Sequence, residues 1–257
     1  MIRDNAMASP AVVLVGADKG GVGKTTVART LLDYLQARKL PTRAFDTESP
    51  KGTLKRFHPE ITEIVDITTV ADQMRVFDSL SEAQVTVIDV RAGLLTPTLR
   101  ALRDIGFTDA ARKGQISLTL FHILGPTISS LEEITETAEH VGGTRYHLVK
   151  NFINNTSFFE WDQATYDNYF RRLEGVAEIT IPKLNEMAAE QVELSGVPFL
   201  SFVANKTSKG EPAAYSFVLR GYVRHWLSHV WAEYDRIKLS DHLGPRDVVP
   251  LRAGQSG

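Results

Sequence analysis

Short apolar runs alternate with segments of helical periodicity along most of this chain. The runs are rich in Val, Ile and Leu and are mostly apolar on both faces, which is typical of strands in a parallel sheet that is covered on both sides. Seven such runs predict strands: Val12–Gly16, Thr42–Phe45, Ile64–Ile67, Val85–Val90, Ser117–Leu124, Tyr146–Ile153 and Ala177–Ile181.

Between these runs, apolar residues recur every three or four positions, which is the spacing of one face of an α-helix. The first such segment carries Ala28, Leu31, Leu32 and Leu35 on a single stripe. Seven segments predict helices: Thr25–Arg38, Val70–Leu80, Thr98–Ile105, Ser129–His140, Trp161–Leu173, Leu184–Leu194 and about Ala213–Ile237. The alternation predicts an α/β fold class, with a mostly parallel, twisted β-sheet of about seven or eight strands and helices on both faces.

The length of 257 residues suits one large α/β domain. We predict a single domain over residues 10–242. The flanking segments, residues 1–9 and 243–257, show no helical or strand periodicity, and the second is interrupted by Gly, Pro and Ser. We expect both to be disordered tails.

Composition excludes several classes of protein. The chain has 29 Lys and Arg residues against 31 Asp and Glu residues, so there is no global signature of nucleic-acid binding, although a local basic patch stays open. Cysteine is absent, which excludes disulfides and thiolate metal sites. The sequence shows no apolar segment of membrane-spanning length and no apolar signal-peptide core at its start. We expect a cytoplasmic protein.

The stretch KGGVGKTT, from Lys19 to Thr26, lies between the first predicted strand and the first predicted helix. Glycine allows the tight turn that directs several backbone N–H groups toward one anion, and the helix N-terminus adds partial positive charge. In such a loop, Lys24 supplies a cation for the outer phosphates and Thr25 supplies a hydroxyl ligand for Mg²⁺. We therefore predict a nucleoside triphosphate site formed by Gly20, Gly21, Val22, Gly23, Lys24, Thr25 and Thr26.

A second lysine makes this loop more specific. The usual pattern is G-x-x-x-x-G-K-[ST], but here Asp18 occupies the first glycine position and Lys19 follows directly. This form resembles the deviant Walker A motif of the ParA/MinD family of ATPases, and the resemblance covers most of residues 11–200. It implies a SIMIBI-type P-loop fold that binds ATP or ADP with Mg²⁺. It also implies that Lys19 reaches across a dimer to the partner's nucleotide, whereas a solvated loop lysine is the alternative.

The run Val85–Asp89 has four β-forming residues followed by an aspartate, which is the pattern of a Walker B strand. A buried strand end would place Asp89 opposite the phosphate loop, where its carboxylate can hold Mg²⁺ or a water of the metal. Gly93 follows, and the string DVRAG resembles the family's second switch, in which a backbone N–H contacts the γ-phosphate. The alternative for Asp89 is a capping or turn residue.

The string RAFDTE is a second strand that ends in acids. It resembles the family's D-x-D switch, which implies that Asp46 supports the metal and that Glu48 orients or activates the attacking water. Two departures weaken this match: glutamate replaces the second aspartate, and Ser49-Pro50-Lys51-Gly52 replaces the usual Pro-Gln-Gly. The alternative is an acidic loop with a turn at Pro50.

Two later residues are candidates for contact with the base. Asn151 ends the core of a predicted strand, where the family often has an asparagine that hydrogen-bonds adenine. Pro182 follows Ile181, which resembles the family's Ile-Pro turn beside the adenine. A strand-end turn residue and a simple strand terminator are the respective alternatives.

The resemblance implies a slow switch, with an ATP-bound homodimer and an ADP-bound monomer, that partitions or positions DNA or a protein cargo and responds to an activating or adaptor protein. The lack of cysteine excludes the chemistries of nitrogenase iron protein and arsenical-pump ATPases. Enzymes of the dethiobiotin-synthetase type lack the signature lysine, so Lys19 argues against that class. A nucleotide-binding scaffold with little hydrolysis stays open, because Glu48 departs from the pattern.

Two groups of basic residues could contact DNA phosphates and make the protein nucleoid-associated, although solvated faces are the more common use of such groups. They are Lys51, Lys55, Arg56 and His58, and Lys206, Lys209, Arg220 and Arg224. The last predicted helix carries a stripe that could instead favour MinD-like membrane association: Phe217, Val218, Tyr222, Trp226, Leu227, Val230 and Trp231. Because Glu233 and Asp235 follow, we expect that stripe to pack in the core.

Overall fold

The computed structural model describes residues 9–125, 128–152 and 176–244. Its strands are β1 (Ala11–Gly16), β2 (Thr42–Asp46), β3 (Thr62–Ile64), β4 (Val85–Asp89), β5 (Ser117–Leu124), β6 (Arg145–Asn151) and β7 (Ala177–Ile181). They form one sheet in the order β3-β2-β4-β1-β5-β6-β7, and every pairing is parallel. The predicted α/β class and parallel sheet are confirmed.

Helices connect the strands. They are α1 (Lys24–Ala37), α2 (Thr53–Phe57), α3 (Val70–Phe77), α4 (Leu95–Asp104), α5 (Phe107–Arg112), α6 (Ile128–Ala138), α7 (Glu186–Ser195), α8 (Phe199–Val203), α9 (Phe217–Arg236) and α10 (Leu239–Leu243), with a 3₁₀ turn at Leu80–Glu82. A parallel pair of strands needs such a crossover connection, which explains the alternation in the sequence.

The sheet separates two hydrophobic cores, because side chains alternate between its faces. In β1, Val13 and Val15 belong to one core, whereas Val12 and Leu14 belong to the other. The first core is built mainly with α1 and α7 to α10, and the second with α3 to α6. This arrangement confirms the predicted helices on both faces.

Some element boundaries differ from the prediction. The third strand was predicted at Ile64–Ile67, but β3 is Thr62–Ile64; Val65 and Ile67 are buried in the loop that follows, so their apolar character reflects core packing. The last helix begins at Phe217 instead of Ala213, since the Asn205 side chain bonds the backbone at Ala213 and Tyr215 in a non-helical conformation. The predicted helix at Trp161–Leu173 lies outside the described residues.

Four helices were not predicted: α2, α5, α8 and α10. Each has five or six residues, which is too short for a repeating apolar stripe. Helix α10 ends at Leu243, which is buried, so ordered structure extends just past the expected limit at residue 242. The remainder of both predicted tails, apart from Ser9 and Gly244, lies outside the described residues.

Helix α9 packs most of its apolar stripe against the sheet. Trp226, Leu227 and Val230 are buried in the first core, whereas Phe217 and Val218 are exposed at the start of the helix. This packing agrees with the expectation that the stripe belongs to the core. Across the ranges that the structure describes, none of the helices combines the length and apolar character needed to cross a membrane.

Candidate functional site

The strand order brings the predicted acidic residues to the phosphate loop. Strand β4 lies between β1 and β2, and Asp46 and Asp89 occupy paired positions at the carboxyl ends of β2 and β4. Both carboxylates are almost fully buried, at 1% and 4% exposure. The loop that leaves β1 at Gly16 therefore starts at the same sheet edge as both acids.

The loop between β1 and α1 has the backbone conformation expected of a phosphate cradle. Gly21 has φ 74°, and Gly23, the residue before α1, has φ 88°, a region that L-residues with a side chain rarely adopt. A Cβ at Gly21 would have nothing of the described chain within 4 Å, so glycine is required there by backbone conformation and not by crowding. The backbone at Gly21 therefore borders open space.

Lys24 is the first residue of α1, and its side chain folds back over the loop. Its Nζ donates a hydrogen bond of 2.8 Å to the carbonyl of Lys19. Burial lowers the pKa of Lys24, while the nearby carboxylates of Asp89, Glu133 and Asp18 oppose that shift. A largely buried ammonium group is thereby fixed at the loop.

A cleft of about 470 Å³ lies above the loop. It brings together most of the predicted phosphate, metal and water residues. Its walls are Gly20, Gly21, Gly23, Lys24, Thr25, Thr26, Asp46, Glu48, Lys51, Thr53, Asp89, Val90, Arg91 and Ala92. Val22 is not among these walls; its side chain is buried, and its carbonyl accepts a hydrogen bond from Asn151.

The residues at the cleft floor fit a hard divalent cation. Burial raises the pKa of Asp89 to about 7, and the charges of Asp46 and Glu48 add to the shift, whereas a hydrogen bond from Thr25 opposes it. A bound cation would offset this carboxylate repulsion, and oxygen is the ligand that Mg²⁺ prefers. Within residues 9–125, 128–152 and 176–244, no cluster of three His, Cys, Asp or Glu could hold a metal by itself. The side-chain oxygens of Thr25, Asp46 and Asp89 are the groups at the cleft floor that could bind such a cation.

Asp46 and Glu48 are tied to the start of α2. Asp46 Oδ2 accepts hydrogen bonds from the backbone N–H of Leu54 at 2.6 Å and Lys55 at 3.2 Å. The Glu48 carboxylate accepts a hydrogen bond from the Thr53 hydroxyl and lies 3.7 Å from Lys51 Nζ. Sequence reasoning missed Thr53, because α2 itself was not predicted.

A second cavity, of about 330 Å³, shares Thr26 with the cleft. Its walls are Thr26, Arg29, Asn151, Pro182, Leu184, Ala189, Glu190, Val192, Glu193, Phe199 and Trp226. Both predicted base contacts are thus in one cavity beside the phosphate loop. Asn151 Nδ2 donates to the Val22 carbonyl at 3.0 Å, and the indole N–H of Trp226 donates to the Pro182 carbonyl at 2.6 Å. We call this space the base cavity.

Lys19 has a different position. It is partly buried, and among the described residues it is not a wall of the cleft. Its side chain runs past Gly125, where a Cβ would come within 3.4 Å of Lys19 Cδ. The structure describes one protomer, so the role of Lys19 across a dimer stays a prediction.

Asp18, at the unusual first position of the motif, has a structural role that sequence reasoning missed. Its carboxylate accepts hydrogen bonds from the N–H of Leu95 at 2.8 Å and from the N–H and hydroxyl of Thr96, at the start of α4. Its carbonyl accepts from the N–H of Gly93 at 2.9 Å, and its N–H donates to Glu133 at 3.2 Å. Asp18 therefore joins the phosphate loop to the segment that follows Asp89.

The first predicted basic group is not a continuous cationic surface. His58 is buried, and burial followed by the charge of Arg29 lowers its pKa to about 3, so it is neutral at pH 7. Arg56 forms an ion pair with Glu193 at 3.1 Å. In the second group, Arg220 donates to the Val203 carbonyl at 3.3 Å, while Lys206, Lys209 and Arg224 are exposed.

Comparisons with known proteins agree with this geometry. Residues 13–212 match the family model of the CobQ/CobB/MinD/ParA nucleotide-binding domain. The ParA family ATPase from Chlorobium tepidum TLS is similar in structure, with a TM-score of 0.53 and 14% identity, covering 85% of this chain and 97% of that chain. A search of curated proteins finds no similar sequence.

Two further solved structures are more distant. The nucleotide-binding protein from Archaeoglobus fulgidus in complex with ADP has a TM-score of 0.48 and 17% identity, over 71% of this chain and 85% of that chain. The MinC:MinD cell division complex from Aquifex aeolicus has a TM-score of 0.49 and 13% identity, over 85% and 96% of the two chains.

The matched range contains the phosphate loop, Asp46, Asp89, Asn151 and Pro182. The similarity to the Chlorobium structure shows the same fold. The resemblance to ParA and MinD that the KGGVGKTT loop predicted is thus confirmed, and this chain belongs to the CobQ/CobB/MinD/ParA family of nucleotide-binding P-loop ATPases.

Proposed function

We propose that this protein binds Mg-ATP, dimerises around the nucleotide and hydrolyses ATP slowly, as a molecular switch that partitions or positions DNA or a protein cargo. The observation that supports this most is the pair of adjoining cavities. One is lined by the phosphate loop with Thr25, Asp46 and Asp89, and the other is lined by Asn151 and Pro182. They share Thr26, so a single nucleotide can place its phosphates in one and its base in the other.

Each residue of the cleft has a defined role in this proposal. The loop amides and Lys24 bind the β- and γ-phosphates, and Thr25, Asp46 and Asp89 present oxygen ligands for the metal. Mg²⁺, when bound, neutralises charge that develops on the phosphate oxygens. Glu48 orients or activates the attacking water, once its carboxylate exchanges its bond with Thr53 for one with the water. Hydrolysis of this kind depends mainly on positioning and charge neutralisation.

Lys19 would complete the charge balance from the second subunit. A cation supplied in trans can raise the rate of phosphoryl transfer by about 10³–10⁵. Dimerisation would then control both turnover and the surface that the protein presents to an activating or adaptor protein. Such a switch would be cytoplasmic, and nucleoid-associated if its basic surface binds DNA.

Two alternatives are each favoured by one observation. The bonds of Glu48 to Thr53 and Lys51 favour a scaffold that binds nucleotide with little hydrolysis. The exposed side chains Phe217, Val218 and Tyr222 favour a membrane or protein contact at the start of α9, although the rest of that stripe is buried. For DNA, the exposed group Lys206, Lys209 and Arg224 is the better candidate surface.

The substitution Lys19→Ala tests the proposal. We expect the variant to bind ATP but to stay monomeric in size-exclusion chromatography with a non-hydrolysable ATP analogue, whereas the wild type becomes dimeric. Lys113→Ala, which removes an exposed lysine after α5, is the control and should dimerise normally. If Lys19→Ala dimerises as well as the control does, the dimer proposal is wrong.

A further inference from the structure

We infer that Arg56 and Glu193 are positioning residues that link the base cavity to the acids Asp46 and Glu48, with α2 as the connecting element. The inference rests on the proposed function, because it assigns the cleft and the base cavity to one nucleotide. It concerns how the base, which is remote from the bond that breaks, influences the residues beside that bond.

The base-side end of this link is Glu193, on α7. Its carboxylate lies on the wall of the base cavity and pairs with two arginines, Arg29 at 3.2 Å and Arg56 at 3.1 Å. Arg56 Nη2 also donates to the Glu193 carbonyl at 2.5 Å. The two arginines belong to α1 and α2, so one acid in the cavity wall holds both helices.

Arg29 stacks on two aromatic rings beside this contact. Its guanidinium lies 3.3 Å from the ring centre of Phe57, in α2, and 4.3 Å from that of Phe199, in α8. The side chain is 5% exposed, and its Nε and Nη2 have no hydrogen-bond partner among the described residues. The buried cation therefore depends on Glu193 for its direct ion pair, and Phe57 is held in place by stacking.

The other end of the link is the start of α2. The N–H groups of Leu54 and Lys55 donate to Asp46, and the Thr53 hydroxyl donates to Glu48. Helix α2 has only five residues, Thr53–Phe57, so a displacement of its last turn moves its first turn as well. Both ends of one short rigid element are thus attached, one to the acids and the other to the base cavity.

A base that enters the cavity would contact Glu193 and Phe199. Glu193 would in turn hold Arg56 in position through their ion pair, and Phe199 would hold Phe57 through the guanidinium of Arg29 that contacts both rings. An exposed ion pair changes an equilibrium only modestly, by about two- to fivefold. This magnitude suits a positioning contact: it is large enough to bias the geometry of Asp46 and Glu48, and too small to decide whether the nucleotide binds.

Amide hydrogen exchange at Leu54 and Lys55, followed by NMR, tests the link without requiring hydrolysis. Pyrophosphate fills only the phosphate side, whereas ADP fills both cavities. In the wild type, we expect ADP to slow exchange at these amides about two- to fivefold more than pyrophosphate does. Arg56→Ala should abolish that difference, and Arg56→Lys should restore part of it.

The matched control is Arg75→Ala. The side chain of Arg75 is 54% exposed and pairs with Glu63, much as that of Arg56 is 51% exposed and pairs with Glu193. Arg75, however, lies on α3 and not on α2. This variant should keep the wild-type difference between ADP and pyrophosphate. If Arg56→Ala also keeps that difference, or if the wild type shows none, the inference is overturned.

Calorimetric titration with ADP separates this inference from the proposed function. ADP that binds without the extra protection at Leu54 and Lys55 overturns the inference alone. A protein that does not bind ADP overturns the proposed function and this inference with it. As a second readout, Arg56→Ala should lower kcat for ATP hydrolysis with little change in KM, since the loop that binds the phosphates is intact.

Discussion

We assign one cavity, the phosphate side, to the phosphates and the other, the base side, to the base, and the two are built in different ways. On the phosphate side, the loop itself is one continuous segment, residues 16–26, whose shape comes from backbone conformation at Gly21 and Gly23, and Asp46 and Asp89 join it from two strand ends. The base side is assembled from α1, α7, α8, α9 and two strand ends. Its central ion pair joins Arg29 to Glu193, which are 164 positions apart in the chain.

This difference predicts how each side responds to substitution. A site held by its own backbone can lose a functional side chain and keep its fold. A site held by contacts between distant helices shares its side chains with the core, so changes there alter stability as well.

The largest effect is expected for Lys24→Ala. It removes the cation of the phosphate side, and loss of one such group typically costs about 10²–10³ in activity. Because burial disfavours the charged ammonium, the free energy of unfolding should change by less than about 1 kcal/mol. ATP turnover and thermal unfolding of the same sample measure both quantities. A variant that unfolds readily would show that Lys24 is part of the framework.

A smaller effect is expected for Gly52→Ala, at the turn that leads into α2. Gly52 has φ 65°, and a Cβ there would overlap the side chain of Ile64, so we expect a loss of about 2 kcal/mol in stability. Turnover should fall with it, whereas the affinity for pyrophosphate should be kept. Urea unfolding and calorimetry provide the measurements.

The matched control is Gly106→Ala. Gly106 has φ 80°, but a Cβ there would meet nothing of the described chain within 4 Å. Gly106→Ala should therefore lose only the stability that the left-handed backbone conformation costs a residue with a side chain, about 1 kcal/mol. Equal losses in the two variants would mean that the close approach of Gly52 to Ile64 adds nothing to the loss of stability.

The smallest effect on nucleotide binding is expected for Asp33→Asn, behind the base cavity. Asp33 is fully buried, and burial raises its pKa from 3.8 to about 7. The folded state therefore holds a proton that the unfolded state loses, so this contribution to stability is complete below about pH 4 and is lost as the pH rises through 7. Asparagine does not titrate, so the stability of the variant relative to wild type should rise with pH, and the variant should be the more stable protein at pH 8.

Thermal unfolding of both proteins between pH 4 and pH 8 tests this. The difference in stability between Asp33→Asn and wild type should grow with pH, while ADP affinity should not change, because Asp33 lines neither cavity among the described residues. Parallel curves would show that Asp33 is ionised in the folded protein.

The sequence predicted the parts of the fold that have long patterns. Six strands and the helix after the phosphate loop were found, because fully buried strands form unbroken apolar runs. The third strand was misplaced, since β3 has only three residues and the more apolar Val65 and Ile67 follow it. Helices α2 and α8 were missed because five residues cannot show a periodic stripe.

The residues of the candidate site also divide into those that the sequence predicted and those that it did not. The phosphate loop, Asp46 and Asp89 were predicted because their residues stand next to strand ends. Arg29, Thr53 and Glu193 were missed, because only folding brings them to the cavities. Gly52 carried a weak signal for α2, since glycine is one of the residues favoured immediately before a helix.

Asp18 has one further consequence. Helix α4 begins after Leu94, a residue that cannot cap a helix with its side chain. The first N–H groups of α4 donate instead to Asp18, which lies 77 positions before Leu95. The start of α4 is therefore attached directly to the phosphate loop. A change in the conformation of either segment would alter the hydrogen bonds of the other.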